Sequence, residues 1–192
     1  MTTQPITQIH GHAFNGLDAQ QLVQTVEAVK QDHMLAKFEF RAKNHWIGGM
    51  VNRSSIQDFY GVGKEDESRR KPFTFTSSEP PVLLGANEGA SAGEFLLHAL
   101  ASCVTSTAVL HATARGIRIE SISTELRGDV DLRGLLDLDP SVRPGYQRIT
   151  VKMSIKAECS DAELDELMKL VRTHSPMYDT ISRPVPVVLE RV

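Results

Sequence analysis

With 192 residues, the chain is long enough to bury a sizeable core and fits one domain, or one domain with an appendage. Hydrophobic residues make up 41% and charged residues 23%, as is ordinary for a soluble globular protein. The formal net charge of −3 gives no electrostatic basis for binding nucleic acid or an anionic membrane.

Cysteine usage and the amino terminus bear on the compartment. The chain has two cysteines, Cys103 and Cys159, without a CxxC or other zinc-ligand spacing. Its first residues lack the basic start and apolar stretch of a signal peptide, and no run of 18 apolar residues predicts a membrane span. We therefore expect a cytoplasmic protein with reduced thiols, no metal, no cofactor and no membrane or nucleic-acid partner.

The first predicted element is a helix from Asp18 to about Gln31, with an apolar stripe at helical spacing. Alternating patterns then predict strands at residues 36–42, around Trp46–Val51 and at Phe73–Thr76. The pair Gly48-Gly49 predicts a bulge or a close backbone approach in the second of these strands. The glycine-rich and charged residues 61–71 predict a loop.

The strongest predicted element is an apolar helix from about Ser91 to Ala114. It carries few charges, so we expect burial on most sides, and Gly116 fits a left-handed cap. Next come a strand at 117–132 with a phase slip near Ile122, a loop at 135–146 and a strand at 147–157. A helix capped at Ser160 or Asp161, a break and a terminal strand at 185–189 complete the chain. Because consecutive strands outnumber possible crossover helices, the order predicts an α+β fold.

Cys103 lies in the middle of the apolar helix, where a thiol is either inert packing or a shielded nucleophile. Reactivity there would need a cation from elsewhere in the fold, because the helix dipole helps little at mid-helix. Glu94 and His98 are four residues apart, but His111 is too far along the helix to join them at one metal ion. No hydrolase elbow, phosphate loop or dinucleotide fingerprint is present.

Two segments resemble the OsmC/Ohr family of organic hydroperoxide resistance proteins. Residues 85–103 are similar to the family's central helix: a turn rich in glycine, an acidic start, small residues and a cysteine. Residues 173–181 resemble the stretch after its last long helix. Because the order of elements agrees from about residue 36, we assign residues 35–192 to an OsmC-like domain. Residues 1–34 are then an N-terminal extension with one helix.

The resemblance implies an intertwined homodimer in which mixed and antiparallel sheets from both chains wrap two long central helices. In well-studied members, one cysteine reduces an organic hydroperoxide and becomes sulfenic acid. A second cysteine then closes a disulfide, which a thiol reductant reopens.

Carried over to this chain, the resemblance makes Cys103 the oxidised cysteine. Ser175 occupies the position of the resolving cysteine, which is therefore lost. The family's glutamate position is Gly93 here, and Glu94, one residue on, is the acidic candidate. The arginine that holds the thiolate falls on Arg53.

Arg41 is the alternative to that arginine, and Cys159 does not match the resolving position. Three functions stay open. The first is an OsmC-like stress-response protein, a possible thiol peroxidase that uses an external thiol as reductant. The second is a non-catalytic protein of the same fold that binds a small apolar ligand at the dimer cleft. The third is an interaction protein that docks through the helix at about 17–31, unless this helix only covers a sheet or extends the dimer interface.

Overall fold

The computed structural model describes residues 13–183 and 185–191. Of these, the residues up to Ala19 and from Leu97 onward form one compact unit, and Gln20–Leu96 form a second. Both units contain helices and open antiparallel sheets, so the predicted α+β class is confirmed.

The unit Gln20–Leu96 is built mainly of short strands. After helix α1, Ala19–Gln31, two three-stranded antiparallel sheets form, with the orders β1-β4-β5 and β2-β3-β6. The strands are β1 Glu39–Phe40, β2 Lys43–Gly48, β3 Val51–Ile56, β4 Phe59–Gly61, β5 Lys64–Asp66 and β6 Phe73–Ser77. The register of β2 against β3 shifts between Trp46 and Gly48, which confirms the bulge that the two glycines predict.

Two expectations for this unit were wrong in part. The strand at residues 36–42 shrinks to β1, because His33–Ala36 form a 3₁₀ turn that the Asp32 side chain caps. The loop at 61–71 contains the hairpin of β4 and β5. Its two turn residues, Val62 and Gly63, have φ of 52° and 78°, and two positive φ values are what a type I′ turn requires. A valine there carries no turn signal in the sequence.

The other unit places one long helix against a two-stranded sheet and the last helices. Helix α2, Ala92–Thr113, begins in the unit Gln20–Leu96 and continues into this one. Then follow β7 Ile119–Val130, α3 Leu132–Leu135, β8 Tyr146–Ala157, α4 Asp161–His174 and α5 Pro176–Ser182. Strands β7 and β8 pair antiparallel along their length, and the predicted phase slip is a register shift between Ile119 and Ser121.

Helix α2 buries one stripe rather than most of its surface. Its buried residues, spaced three and four apart, contact β7, β8 and α4; they include Leu100, Val104, Ala108 and Ala112. Leu110, on another face, keeps 41% of its surface exposed. Among the described residues, α2 is also the one helix long and apolar enough to cross a membrane, a property that core helices of globular proteins share.

Local end signals of the helices are confirmed. Gly116 follows α2 with a φ of 69°, and Ser160 caps α4 through a capping box with Glu163. The break expected after the helix that Ser160 caps is followed by a further helix, α5, with Pro176 as its first residue.

The terminal strand predicted at 185–189 is not formed in the described chain. These residues have no regular secondary structure, and Leu189 is 97% exposed. The alternating pattern indicates a segment suited to a sheet, but a strand also needs a partner, and residues 13–183 supply none.

Candidate active site

A buried serine hydroxyl contacts the sulfur of Cys103. Cys103 is half-buried on α2, and Ser175 lies at the junction of α4 and α5 with 0% of its surface exposed. The Ser175 hydroxyl donates a hydrogen bond to Cys103 Sγ at 3.2 Å, and the backbone N–H of Met177 donates a second at 3.4 Å. We call Cys103, Ser175 and Met177 the thiol cluster.

The start of α5 explains why a backbone amide is available for the sulfur. The first N–H groups of a helix have no partner within the helix. Pro176 has no N–H to place, the N–H of Tyr178 donates to Ser175 Oγ at 3.4 Å, and that of Met177 turns to Cys103. Residues that both end α4 and begin α5 are thereby held against the middle of α2.

Among the described residues, the thiol cluster places two hydrogen-bond donors, and no cationic side chain, at the sulfur of Cys103. A thiolate is the nucleophilic form of cysteine, and hydrogen-bond donors stabilise it. The Ser175 hydroxyl supplies such a donor but cannot form a disulfide. Cys103 is a free thiol in the structure.

Cys159 lies near the far end of α2. It packs against the cluster of Ala112, Ile117 and Leu167. Ala112 is nine residues beyond Cys103, which is about 13 Å along a helix at about 1.5 Å per residue. A disulfide needs Cα atoms within about 7 Å. Cys159 is therefore not placed to pair with Cys103 of the same chain.

Glu94 caps helix α2. Its carboxylate accepts hydrogen bonds from the backbone N–H and the hydroxyl of Ser91, at 2.7 Å and 2.9 Å, and Ser91 accepts one from the N–H of Glu94 in return. The backbone hydrogen bond and then the hydroxyl hold the pKa of Glu94 below its ordinary value. Gly93 precedes it in the first turn of the same helix.

The two candidate arginines lie in the unit Gln20–Leu96 and differ in their contacts. Arg41 forms ion pairs with Glu39 at 2.7 Å and with Glu65 at 2.8 Å, which raise its pKa. Arg53 is exposed on β3 opposite Thr76 of β6, and no ion pair within the described residues engages it.

A cavity of about 380 Å³ lies in the same unit as the thiol cluster. Val104 and Tyr178 line it, and each is the next residue in sequence after a member of the thiol cluster. The other lining residues are mostly apolar, but two arginines, Arg148 and Arg172, also contribute. No pattern in the sequence predicts this cavity, because its walls come from four elements that only the fold brings together.

Two histidine rings lie close together, one on α2 and one on α4, with a tilt of 38° between their planes. The rings of His111 on α2 and His174 at the end of α4 lie 5.1 Å apart. Burial, the charge of Arg115 and then His174 lower the pKa of His111. Within the part of the chain that the structure describes, no group of three or more metal-binding side chains occurs.

The hydrogen bond from the Met177 N–H to Cys103 could not be predicted from the sequence, because a backbone amide has no sequence signature. For Ser175, the sequence indicates only that the family's cysteine is missing. The structure adds that the serine remains in contact with the sulfur and donates to it.

Comparison with known proteins shows the family of this chain. A family model described as OsmC-like protein matches residues 85–190, more than half of the chain, including Cys103 and Ser175. No curated protein matches the chain in sequence.

Solved structures show the same fold at low sequence identity. An OsmC-like protein from Mycoplasma pneumoniae is 19% identical, with 77% of this chain and 89% of that one covered and a TM-score of 0.55. An organic hydroperoxide resistance protein OsmC from Legionella pneumophila is 16% identical, with 76% of this chain and 90% of that one covered and a TM-score of 0.55. An osmotic stress induced and detoxification response protein from Psychrobacter arcticus is 14% identical, with 72% of this chain and 85% of that one covered and a TM-score of 0.53. On the family match, the fold and the placement of Cys103, the chain belongs to the OsmC-like protein family.

Proposed function

We propose that this protein is a thiol-dependent peroxidase that reduces organic hydroperoxides through Cys103 and is regenerated by an external thiol in a reducing, cytoplasmic setting. The observation that carries the proposal is the pair of hydrogen bonds from Ser175 and Met177 to Cys103 Sγ. They place two donors at the sulfur, and no second cysteine lies beside it, since Cys159 packs against Ala112 and Leu167. The solved structure from Legionella pneumophila, described as an organic hydroperoxide resistance protein, supports the same chemistry.

In the first step, the Cys103 thiolate attacks an oxygen of the hydroperoxide. The O–O bond breaks, the alkoxide leaving group takes up a proton, and the products are an alcohol and Cys103 sulfenic acid. One external thiol then forms a mixed disulfide with release of water, and a second thiol releases free Cys103 with a small disulfide. Ser175 assists by hydrogen bonding to the sulfur, since its hydroxyl cannot take the resolving part.

The cavity in the unit that carries the thiol cluster supports a preference for organic over inorganic hydroperoxides. Its apolar lining, which includes Val104 and Tyr178, would desolvate an alkyl or aryl group rather than a small polar peroxide. We therefore expect cumene hydroperoxide to react faster than hydrogen peroxide.

For the cation near the thiolate we propose Arg53, on the family resemblance. Arg41 is the weaker candidate because two carboxylates already occupy its guanidinium. Substitution of each by glutamine separates them: Arg53→Gln should slow oxidation of Cys103, and Arg41→Gln should leave its rate unchanged. Equal rates in both variants and the parent protein would remove Arg53 from the mechanism.

We also propose that the protein is a homodimer. Apolar side chains stay exposed in the single chain on α2, at Leu110, and in the terminal segment, at Val187 and Leu189. A second copy would cover them, as the family resemblance implies. Sedimentation or light scattering should give twice the chain mass, and a monomer at micromolar concentration would contradict this part of the proposal.

The oxidation state of Cys103 tests the peroxidase proposal. The protein is incubated with excess cumene hydroperoxide, and its thiols are mapped by mass spectrometry with dimedone as the trap for sulfenic acid. Cys103 should be modified while Cys159 remains largely reduced, and Cys159→Ser should behave as the parent protein does. Cys103 left as a free thiol under excess oxidant would contradict the proposal.

A second function, binding of a small apolar ligand without catalysis, is favoured by the cavity together with the lost resolving cysteine. In that case Cys103→Ser would bind apolar probes as tightly as the parent protein, and hydroperoxide turnover would stay at background. Turnover that depends on Cys103 would exclude it.

A further inference from the structure

We propose that the backbone amide of Met177 takes over the resolving step and closes oxidised Cys103 into a cyclic sulfenamide. This inference rests on the proposed function, since it begins from Cys103 sulfenic acid. It assigns a chemical fate to the oxidised sulfur that a serine at position 175 cannot provide. Condensation with a backbone nitrogen is an established fate of sulfenic acids in proteins.

The distance between the reacting atoms is already short. Met177 N lies 3.4 Å from Cys103 Sγ and directs its N–H at the sulfur, so the two atoms are in contact before any reaction. The alternative partner, a second thiol, is not available nearby because Cys159 packs beside Ala112 and Leu167.

Bond formation at this nitrogen costs helix α5 no internal hydrogen bond. Met177 follows Pro176, the first residue of α5, so its N–H has no acceptor within the helix and is used only by the sulfur. An amide from the middle of a helix would first have to break its bond to the carbonyl four residues back.

The balance of the step is complete. The S–O bond of Cys103 sulfenic acid and the N–H bond of Met177 break, an S–N bond forms, and the sulfenic OH leaves with the amide hydrogen as one water. The Ser175 hydroxyl, 3.2 Å from the sulfur, is placed to donate a hydrogen bond to the departing oxygen. Oxidation occurs only in the earlier step, with the organic hydroperoxide as oxidant. Two equivalents of external thiol later restore the thiol and the amide and form a small disulfide.

The consequence is protection of the sulfur. A sulfenic acid that meets more hydroperoxide goes on to sulfinic acid, which thiols do not reverse. A sulfenamide has no S–OH group to oxidise in that way and is reopened by thiols. The cyclic product would therefore keep the enzyme recoverable while thiol is scarce.

The test uses the full chain carrying Cys159→Ser, so that no second cysteine can mimic the product. One equivalent of cumene hydroperoxide is added without thiol, and intact mass and peptide maps are recorded. We expect a chain lighter by two hydrogens, with the Cys103 peptide joined to the Met177 peptide, and complete reversal by dithiothreitol. A chain heavier by one oxygen, trapped by dimedone and never joined to the Met177 peptide, would overturn the inference and leave the peroxidase proposal standing.

Two substitutions sharpen the result. Met177→Pro removes the N–H together with the side chain in the first turn of α5, where a helix tolerates proline. It should abolish the joined peptide and, with excess hydroperoxide, let sulfinic acid accumulate. Met177→Leu keeps the amide and should give the joined peptide as before, so it controls for the loss of the side chain. A joined peptide in Met177→Pro would overturn the inference. If Cys103 stays a free thiol in the parent protein, both the inference and the proposed function fail.

Discussion

The Ser175 hydroxyl donates a hydrogen bond to the Cys103 sulfur across 72 residues of sequence, at 3.2 Å. The position that the family resemblance gives to a resolving cysteine is thus still in contact with the oxidisable one. On that resemblance, a hydrogen-bond donor stands where the family has a disulfide partner.

Ser175→Ala removes this donor and should slow the reaction of Cys103 with cumene hydroperoxide by about tenfold. A hydrogen bond to a charged group contributes about 1.5–3 kcal/mol, and about 1.4 kcal/mol corresponds to tenfold in rate. Stopped-flow measurement of the second-order rate constant at neutral pH tests this. Because Ser175 also caps α5, thermal unfolding is measured alongside; an unchanged rate constant in a folded variant would show that the hydroxyl serves only as a cap.

Ser175→Cys should restore an internal disulfide. The hydroxyl oxygen and Cys103 Sγ are already within hydrogen-bonding distance, so a sulfur in its place would lie close enough to attack the sulfenic acid. One equivalent of hydroperoxide should then yield a disulfide between positions 103 and 175, detected by peptide mapping without reductant. The same variant combined with Cys103→Ser should give no such product, and a failure of the single variant to cross-link would contradict the placement of Ser175.

Glu94→Ala should destabilise the protein by about 0.3–1.5 kcal/mol, because it removes the carboxylate that accepts the two hydrogen bonds from Ser91 in the capping box of α2. The hydrogen bonds from Ser91 lower the pKa of Glu94 in the folded protein. Its contribution to stability is therefore present above the ordinary carboxyl pKa of about 4.3 and is lost as the pH falls through the lowered folded value.

Urea titrations of the parent protein and Glu94→Gln between pH 3 and 7, roughly the range around that carboxyl pKa, check the sign. The two proteins should converge in stability at the acid end. For the folded fraction, we expect little change in hydroperoxide turnover. A large loss of turnover in folded Glu94→Gln would instead assign Glu94 the catalytic contribution that the family resemblance implies.

Asn15→Ala should destabilise the unit that carries Cys103. The Asn15 side chain donates to the Ile117 carbonyl at 2.9 Å and accepts from the Ile119 N–H at 2.9 Å, so part of the N-terminal extension is bound to the end of α2. Each buried group left without a partner costs about 1–3 kcal/mol. Asn15→Gly is the matched control, because Asn15 has a φ of 50° and glycine tolerates that conformation. Equal stability of both variants and the parent protein would contradict an anchoring contribution of this side chain.

The helices and their ends could be predicted from the sequence because their signals are local. Gly116 and Ser160 stop and start helices through bonds to residues a few positions away. Val62 in its tight turn and the terminal residues 185–189 could not be predicted in this way. A valine with positive φ depends on the hairpin around it, and a strand depends on a partner that alternation does not name.

The same distinction holds for the site. The position of Cys103 on a long apolar helix follows from local pattern, and its proposed chemistry follows only from the family resemblance. Its contacts with Ser175 and the Met177 amide arise from the packing of α5 on α2, between residues more than 70 positions apart. No spacing in the sequence encodes such contacts.

Turnover measured with three proteins tests the central claim most directly. The parent protein, Cys103→Ser and Cys159→Ser are each given cumene hydroperoxide and excess dithiol, and the alcohol formed per chain is counted over time. Many equivalents of alcohol from the parent protein and Cys159→Ser, with background from a folded Cys103→Ser, are predicted. Equal alcohol formation by Cys103→Ser and the parent protein would contradict the account.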